Sequence, residues 1–351
     1  MTPALPDWPM FGLSDDPRAA LRAALSGGEP AALATIVSLN GGGPRPLGTQ
    51  MVVARDALSG FLSGGCLEAD VAGHAAGVLA GGKPMRLVYG EGSPWPDIRL
   101  LCGARIEVQL ERINPGDEAA NALFDLTDAR LPATWISDGA RRLCERADGR
   151  AAAWPGAYLK AFDPIPRLIV LGSDPTALAI AALGAQCGFE TTLVRPKGPP
   201  QSPPLAGVAY SREEPDAALA RIGLDPWTAV AVATHDAELD HAALVAALPS
   251  SAFYVGALGA RRRLEDRRSW LRDAGLDPPA IDRLHAPIGL DIGGKAPWEV
   301  AIAVLGEIIA LRYARASGAT STTSPLAVAS APRGLRSNAS ASAKIRTSEE
   351  S

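Results

Sequence analysis

The chain has 351 residues, of which 34 are basic and 38 acidic, and 47% of its side chains are hydrophobic. This length allows two or more domains, and the net charge of −4 without a basic block argues against a nucleic-acid-binding protein. No apolar run of about 18 residues predicts a membrane span, and the N-terminus lacks the pattern of a signal peptide. The four cysteines are far apart and form no C-x-x-C pair, which favours a cytoplasmic protein with reduced thiols.

The first half of the chain predicts an α+β domain over residues 17–154, preceded by a flexible arm at 1–16. Its helices are predicted at 17–25, 69–79 and 119–126, and its strands at 31–39, 51–54, 60–62, 84–89, 105–110, 132–137, 142–145 and 151–154. Residues 155–166 contain three prolines and are predicted to be a linker.

A loop rich in glycine and proline follows the predicted strand at 31–39, and it carries one charged residue, Arg45. Arg45 stands between Pro44 and Pro46, which restrict the backbone on both sides. Two interpretations stay open, because an exposed arginine is commonly solvated surface, whereas a restricted one can be directed at a ligand.

A turn of sequence Ser-Gly-Gly-Cys-Leu-Glu lies between the predicted strand at 60–62 and the helix at 69–79. Gly64 and Gly65 allow close approach of a ligand to the backbone, and the N–H groups at a helix start favour anions. Cys66 lies in that first helical turn, where the helix dipole lowers the pKa of a thiol. The alternative is that Cys66 is a small buried hydrophobic residue. Cys102, followed by Gly103, is a second thiol at a loop-to-strand junction.

The second half of the chain predicts a Rossmann-like, doubly wound parallel sheet over residues 167–314. Its strands are predicted at 167–172, 190–194, 228–233 and 253–256, and its helices at 175–187, 238–248, 260–274 and 297–313. Residues 315–351 are rich in serine, alanine and threonine and are expected to be disordered.

The first turn of this second half only partly matches the dinucleotide-binding fingerprint G-x-G-x-x-G. Gly172 is present, but Asp174 occupies the second glycine position and places a carboxylate where a pyrophosphate would approach. Arg195 follows the next strand, where NAD-binding proteins carry an acidic residue. The pattern therefore disfavours ordinary NAD binding, and Arg195 either meets a phosphate or is solvated.

Two later turns carry polar residues at presumed strand ends, and a loop before the last helix carries another. His235 and Asp236 follow the strand at 228–233, where His235 is either a ligand-binding residue or a helix cap. Gly256 and Gly259 precede Arg261 at a helix start that suits a phosphate.

The alternative for Arg261 is an ion pair with Glu265 within the helix. Gly289 and Asp291 belong to a glycine-punctuated loop that is expected to close over a cleft.

Taken together, these segments resemble the XdhC/CoxI family, which comprises accessory proteins for xanthine dehydrogenase and related molybdenum hydroxylases. The resemblance spans roughly residues 20–312 and rests on residues 34–37, 44–48, 63–68, 102–103, 106–108, 234–236, 239–240, 254–262 and 287–293. It implies an N-terminal α+β XdhC-type domain followed by a Rossmann-like domain.

The resemblance further implies a chaperone rather than an enzyme. Such a protein binds molybdenum cofactor, as molybdopterin or its cytosine dinucleotide form, keeps it for sulfuration by a cysteine desulfurase and inserts it into an apo molybdenum hydroxylase. A homodimer is one expected assembly, and neither nucleic acid nor a membrane is an expected partner. The expected cofactor-binding residues are Arg45, Gly64, Gly65, Cys66, Glu68, Cys102, Gly103, Gly172, His235, Asp236, Gly256, Gly259, Arg261, Gly289 and Asp291.

Among these residues, the thiolates of Cys66 and Cys102 suit a soft metal such as molybdenum. Two alternatives remain at this point, an NAD(P)-dependent oxidoreductase that uses the Rossmann-like half and a scaffold that bridges desulfurase and hydroxylase.

Overall fold

A computed structural model shows how these segments fold. It describes residues 6–41, 45–55, 57–63, 65, 67–90, 93, 105–147 and 153–316. No helix within these ranges is long and apolar enough to cross a membrane.

An antiparallel five-stranded sheet forms the centre of the first half, in the order β3-β2-β1-β5-β4. Its strands are β1 (Ala31–Asn40), β2 (Gln50–Ala54), β3 (Ala57–Gly60), β4 (Met85–Tyr89) and β5 (Arg105–Ile113). A second, three-stranded sheet has the order β7-β6-β8. It consists of β6 (Ala133–Ser137), β7 (Arg142–Arg146) and β8 (Tyr158–Phe162).

The alternation of side chains along β1 gives the five-stranded sheet two buried faces. Ala32, Ala34 and Ile36 pack on one face against α2 (Glu68–Gly81). Leu33, on the other face, packs in a core shared with α1 (Arg18–Ser26), α3 (Glu118–Asp128) and the three-stranded sheet. This arrangement explains why the sequence shows a nearly continuous apolar run from 31 to 37.

Two strand predictions in this half differ from the structure. The strand predicted at 60–62 is shifted, because β3 pairs with β2 and ends at Gly60. Residues 153–154 form no strand, and the partner of β6 is instead β8, which lies inside the stretch 155–166 predicted as a linker. The prolines that suggested a linker lie outside β8, whose Phe162 is buried in the core. Residues 10–13 of the predicted arm form a short 3₁₀ helix.

The second half contains a six-stranded parallel sheet in the order β11-β10-β9-β12-β13-β14. Its strands are β9 (Arg167–Gly172), β10 (Glu190–Val194), β11 (Val208–Ser211), β12 (Thr228–Ala233), β13 (Tyr254–Ala257) and β14 (Leu284–His285). The helices are α4 (Pro175–Gln186), α5 (Pro215–Ile222), α6 (Ala237–Ala247), α7 (Leu264–Asp273), α8 (Pro278–Asp282) and α9 (Pro297–Ala316).

Helices cover both faces of this parallel sheet. Leu168 and Val170 of β9 pack with α4 and α9, whereas Ile169 and Leu171 pack in a core that includes residues from α5, α6, α7 and α8. The strand order reverses between β9 and β12, which creates the switch point where ligands bind in such folds. The predicted fold class, an α+β first half followed by a doubly wound Rossmann-like sheet, is confirmed. The sequence predicts disorder over residues 315–351, but α9 continues to Ala316, and residues 317–351 lie outside the described ranges.

Arg130, just after α3, ties the two halves together. Its backbone is left-handed, with φ of 54°, and its guanidinium donates hydrogen bonds to the Asp225 carboxylate and to the Ile165 carbonyl at 3.0 Å. It also forms an ion pair with Glu190 at 3.2 Å. Burial acts to raise the pKa of Asp225, but hydrogen bonds from Arg130 and Thr228 outweigh it and leave that pKa lowered. The charged carboxylate is therefore the favoured form at this joint.

Candidate functional site

The loops after β9, β10 and β12 enclose a cavity of about 340 Å³ at the carboxyl edge of the parallel sheet, which we call the carboxyl-edge pocket. Its polar lining comes from Ser173, Arg195, Lys197, His235 and Asp236. The pocket lies at the switch point between β9 and β12, and its volume falls within the usual range for small-ligand sites. This position makes it the candidate binding site of the second half.

Gly172 lines this pocket beside the start of α4, and Asp174 follows in the same turn. A Cβ at Gly172 would lie 2.5 Å from the Ala177 Cβ, so only glycine allows α4 to start this close to β9. Asp174 caps α4, because its Oδ1 accepts a hydrogen bond of 2.8 Å from the Ala177 N–H. Its Oδ2 lies 3.1 Å from His235 Nε2. The carboxylate therefore occupies the helix start that a pyrophosphate would use, which agrees with the sequence-based argument against NAD.

Cationic side chains form the opposite wall, after β10. Arg195 is half-buried, and its guanidinium forms no hydrogen bond or ion pair with any described residue. Lys197 is exposed, with its Nζ 3.8 Å from Asp236 Oδ2. Since a half-buried guanidinium without a partner suits an anionic ligand, this wall can bind a phosphate.

Asp236 and Asp240 hold the loop that carries His235. Asp236 caps α6 by accepting hydrogen bonds from the backbone N–H groups of Glu238 and Leu239. Asp240 accepts a 2.6 Å hydrogen bond from Thr234 and forms an ion pair of 3.0 Å with Arg267. Burial raises the pKa of Asp240, and its hydrogen bond to Thr234 and the charge of Arg267 oppose that shift. The contact of Arg267 has no signal in the sequence, because this residue lies in α7, 27 residues from Asp240.

The turn after β13 places Arg261 beside Asp291. The two side chains form an ion pair at 3.0 Å and are 77% and 79% exposed. The alternative pairing of Arg261 with Glu265 is wrong, since Glu265 pairs with Arg272 at 3.0 Å. The structure thus brings Arg261 and Asp291, two of the predicted site residues, into contact. His235, a third predicted residue, contacts Asp174 and neither of these two.

The two glycines of the β13 turn lie in different surroundings. A Cβ at Gly256 would lie 2.6 Å from Ile288 Cγ1, so Gly256 allows the loop after β14 to pack closely on β13. Gly259 lies beside the Arg267 guanidinium.

Glu307 of α9, which is not among the residues predicted for the site, anchors the loop that contains Gly289. Its carboxylate accepts hydrogen bonds from the Tyr254 hydroxyl at 2.6 Å and from the Gly289 N–H at 2.9 Å. The His285 Nδ1 lies 3.2 Å from the same carboxylate. Gly289 has φ of 88°, and a Cβ there would lie 3.0 Å from the α9 backbone. The loop is therefore held against α9 by both packing and charge.

The predicted site residues of the first half divide into two groups. Gly64, Cys66, Cys102 and Gly103 lie outside the described residues, and the predictions for them remain predictions. Of the described residues, Gly65 has φ of 101°, and Arg45 forms an ion pair with Asp15 at 2.5 Å.

Glu68 is fully buried and is satisfied within its own turn. Its Oε1 accepts hydrogen bonds from the backbone N–H groups of Leu62 and Ser63, and its Oε2 accepts one from the Ser63 hydroxyl at 2.9 Å. The Ser63 hydroxyl in turn accepts a bond from the Leu67 N–H. This carboxylate shapes the backbone on both sides of Cys66.

No cluster of three His, Cys, Asp or Glu side chains that could hold a metal ion occurs in the part of the chain that the structure describes. The two described cysteines, Cys144 and Cys187, are both free. Burial, with a contribution from Glu145, raises the pKa of the Cys144 thiol to about 12, which leaves it unreactive.

The chain is similar to known proteins along most of its length. The XdhC Rossmann domain matches residues 168–308, and the XdhC and CoxI family matches residues 24–90. The molybdenum cofactor insertion chaperone PaoD of Escherichia coli is 32% identical over 305 residues, which are 86% of this chain and 90% of PaoD. A probable xanthine dehydrogenase subunit of Bacillus subtilis is 26% identical, and the match covers 83% of this chain and 96% of that protein.

The fold also matches a solved structure, that of a xanthine dehydrogenase from Bacillus halodurans. The TM-score is 0.68 at 24% sequence identity, and the match covers 85% of this chain and 96% of the other. At this identity the likeness concerns the fold alone. With the two family segments and the PaoD similarity, however, the resemblance seen in the sequence is confirmed, and the chain belongs to the XdhC/CoxI family.

Proposed function

We propose that this protein is a chaperone that binds molybdenum cofactor, supports its sulfuration by a cysteine desulfurase and delivers it to an apo molybdenum hydroxylase of the xanthine dehydrogenase type. The observation that carries the proposal is the unpartnered, half-buried Arg195 in the carboxyl-edge pocket, beside Lys197 and His235. Similarity to PaoD over 90% of its length supports the choice of cargo.

In this proposal the carboxyl-edge pocket holds the phosphate or nucleotide end of the cofactor. Molybdopterin ends in a phosphate and its cytosine dinucleotide form in a nucleotide, and both carry the negative charge that Arg195 and Lys197 attract. Asp174 contacts His235 and Asp236 pairs with Lys197, so Arg195 is the cation of this pocket that has no carboxylate partner among the described residues. The volume of about 340 Å³ suits a nucleotide-sized group.

The molybdenum end is assigned to the first half. Cys66 and Cys102 supply thiolates, which are suitable ligands for a soft metal, and Gly64, Gly65 and Gly103 allow the backbone to approach it. The cofactor is cargo, so the protein needs to hold and release it without a chemical turnover of its own. A homodimer and a cytoplasmic location belong to the same proposal.

The rival, an NAD(P)-dependent oxidoreductase, has only the Rossmann-like sheet in its favour. Asp174 carries a negative charge at the start of α4, where a dinucleotide pyrophosphate would bind. The position after β10 carries Arg195 in place of the acidic residue that binds a ribose. Calorimetric titration with NADH is therefore expected to give no low-micromolar binding, which would correspond to about −8 kcal/mol.

The decisive experiment compares cofactor content in protein purified from cells that make molybdopterin and cells that cannot. Released pterin fluorescence is expected only from the first preparation. Arg195→Ala should lower the retained cofactor about tenfold, because it removes one charge-assisted contact. Arg272→Ala is the matched control, since Arg272 lies on α7 and pairs with Glu265. Equal pterin in wild type and Arg195→Ala would contradict the assignment of the pocket.

A further inference from the structure

A second cavity, of about 480 Å³, lies at the opposite, amino edge of the parallel sheet. We call it the amino-edge cavity. Its lining includes Pro166, Trp227 and Phe253, which directly precede β9, β12 and β13. Its other walls come from β8 and from the last turns of α9, so both halves of the chain form it.

Three of the cations that line this cavity have no described carboxylate within ion-pair distance. Lys160, Arg312 and Arg315 line it, and none of the three forms an ion pair with a carboxylate in the described ranges. A fourth cation, Arg18, is neutralised by Asp16 at 2.5 Å. The cavity therefore has a surplus of positive charge.

The carboxylates of the lining do not cancel that surplus. Asp15 is engaged by Arg45, and Asp16 by Arg18. Asp163 is the third lining carboxylate, and its side chain forms no ion pair with the described residues. One lining carboxylate without an ion pair thus accompanies three cations without one, and the charges of Asp15, Asp16 and Asp163 also act on Lys160.

Aromatic rings accompany the cations. The Arg315 guanidinium lies 5.7 Å from the Phe253 ring, and the Lys160 ammonium 5.7 Å from the Phe162 ring. Trp227 is half-buried in the same lining. Flat rings offer stacking surfaces, and the cations offer contacts to an anionic group.

We propose that the amino-edge cavity binds a ligand that joins a flat heteroaromatic ring to a phosphate group. The ring stacks on Trp227 or Phe253, and the phosphate is bound by Arg312, Arg315 and Lys160. Two sources share this chemistry, a free nucleoside monophosphate and the phosphorylated pterin of the proposed cargo. The site is separate from the carboxyl-edge pocket, so a free nucleotide bound here is independent of the proposed function. The pterin alternative rests on that function, and it would place the phosphate of the cofactor here and not in the carboxyl-edge pocket.

The first arm of the test uses wild-type protein from cells unable to make molybdopterin, titrated with AMP, CMP, GMP and inorganic phosphate. If a free nucleotide is the ligand, at least one monophosphate is expected to bind more tightly than phosphate alone. The double variant Arg312→Gln, Arg315→Gln should then weaken this binding at least about tenfold, and Arg195→Ala and Arg272→Gln should not.

The second arm uses protein from cells that make molybdopterin. If the pterin is the ligand, the monophosphates do not bind, but the double variant loses retained pterin whereas Arg272→Gln keeps it. Trp227→Leu tests the stacking contact separately, with thermal melting as the control for folding. The proposal is overturned if the monophosphates fail to bind and the double variant retains full pterin, whatever the result for Trp227→Leu. It is also overturned if nucleotide binding is lost with Arg195→Ala only, since that result would place the ligand in the carboxyl-edge pocket.

Discussion

Asp174 illustrates how one residue alters the ligand preference of a familiar fold. Its carboxylate caps α4 and contacts His235. The negative charge that the positive end of the helix dipole favours is therefore supplied by the protein itself. The free positive charge of the pocket lies instead on Arg195, across from α4. A ligand is therefore expected to present its phosphate toward β10, not toward α4 as a dinucleotide would.

The cysteines provide the residue-scale prediction. Cys66→Ala and Cys102→Ala are each expected to lower cofactor retention, because a thiolate ligand of a soft metal is lost. Cys187→Ala should not, since Cys187 is an exposed residue at the end of α4. Molybdopterin content per protein, measured by pterin fluorescence, is the readout. Equal content in all three variants and the wild type would refute the role of the thiols.

Part of the site could be predicted from residues alone. The positions of Gly172, Arg195 and His235 at strand ends follow from strand–helix alternation, because parallel strands end at one edge. The contacts of Arg261 with Asp291, and of Arg267 with Asp240, span 30 and 27 residues. Sequence spacing reveals partners within a helix but carries no signal for such distant pairs.

At the scale of elements, strands with continuous apolar runs are predicted from the sequence, whereas β8 and β11 are not. β1, β9 and β12 have continuous apolar runs, because both faces of each sheet are covered. β8 and β11 have five and four residues, and in both only the last residue is buried. Such strands exist because a neighbouring strand offers hydrogen bonds, which a local pattern does not reveal.

The loop between β14 and α9 provides a prediction at this scale. Glu307→Gln should lower the free energy of unfolding by about 1–3 kcal/mol, because an amide cannot accept all the hydrogen bonds that the partly buried carboxylate accepts. Amide hydrogen exchange at Gly289 should accelerate. Glu265→Gln, at an exposed ion pair of α7, is the control and should have little effect. Unchanged exchange at Gly289 would show that packing alone holds the loop.

The same carboxylate has a defined pH dependence. Burial acts to raise the pKa of Glu307, but hydrogen bonds from His285 and Tyr254 leave it below its ordinary value of 4.5. A carboxyl group with a lowered folded-state pKa stabilises the protein above its unfolded-state pKa. The stability that Glu307→Gln removes should therefore be present at neutral pH and disappear as the pH falls below about 4.5.

At the scale of the whole molecule, Arg130 and Asp225 connect the two halves across 95 residues. Asp225→Asn is expected to destabilise the fold by about 1–3 kcal/mol at neutral pH, because Arg130 loses a charged partner. The pKa of Asp225 is lowered, so this difference should shrink as the pH falls through the acidic range below 3.8.

Asp128→Asn is the control for this joint. Asp128 also pairs with an arginine, Arg22 at 2.8 Å, but it is 62% exposed. Denaturant unfolding at several pH values should give a smaller loss for Asp128→Asn. If the two variants behave alike at every pH, the contact between the halves contributes no more than a surface ion pair.

The length of β9 sets the relation between the two cavities. Its six residues span about 20 Å, with Pro166 of the amino-edge cavity before the strand and Gly172 of the carboxyl-edge pocket at its end. The strand is buried and hydrogen-bonded on both sides, so it acts as a rigid spacer. Two small molecules can thus bind at once, one in each cavity, without touching each other. A binding stoichiometry of two ligands per chain would show this simultaneous binding directly.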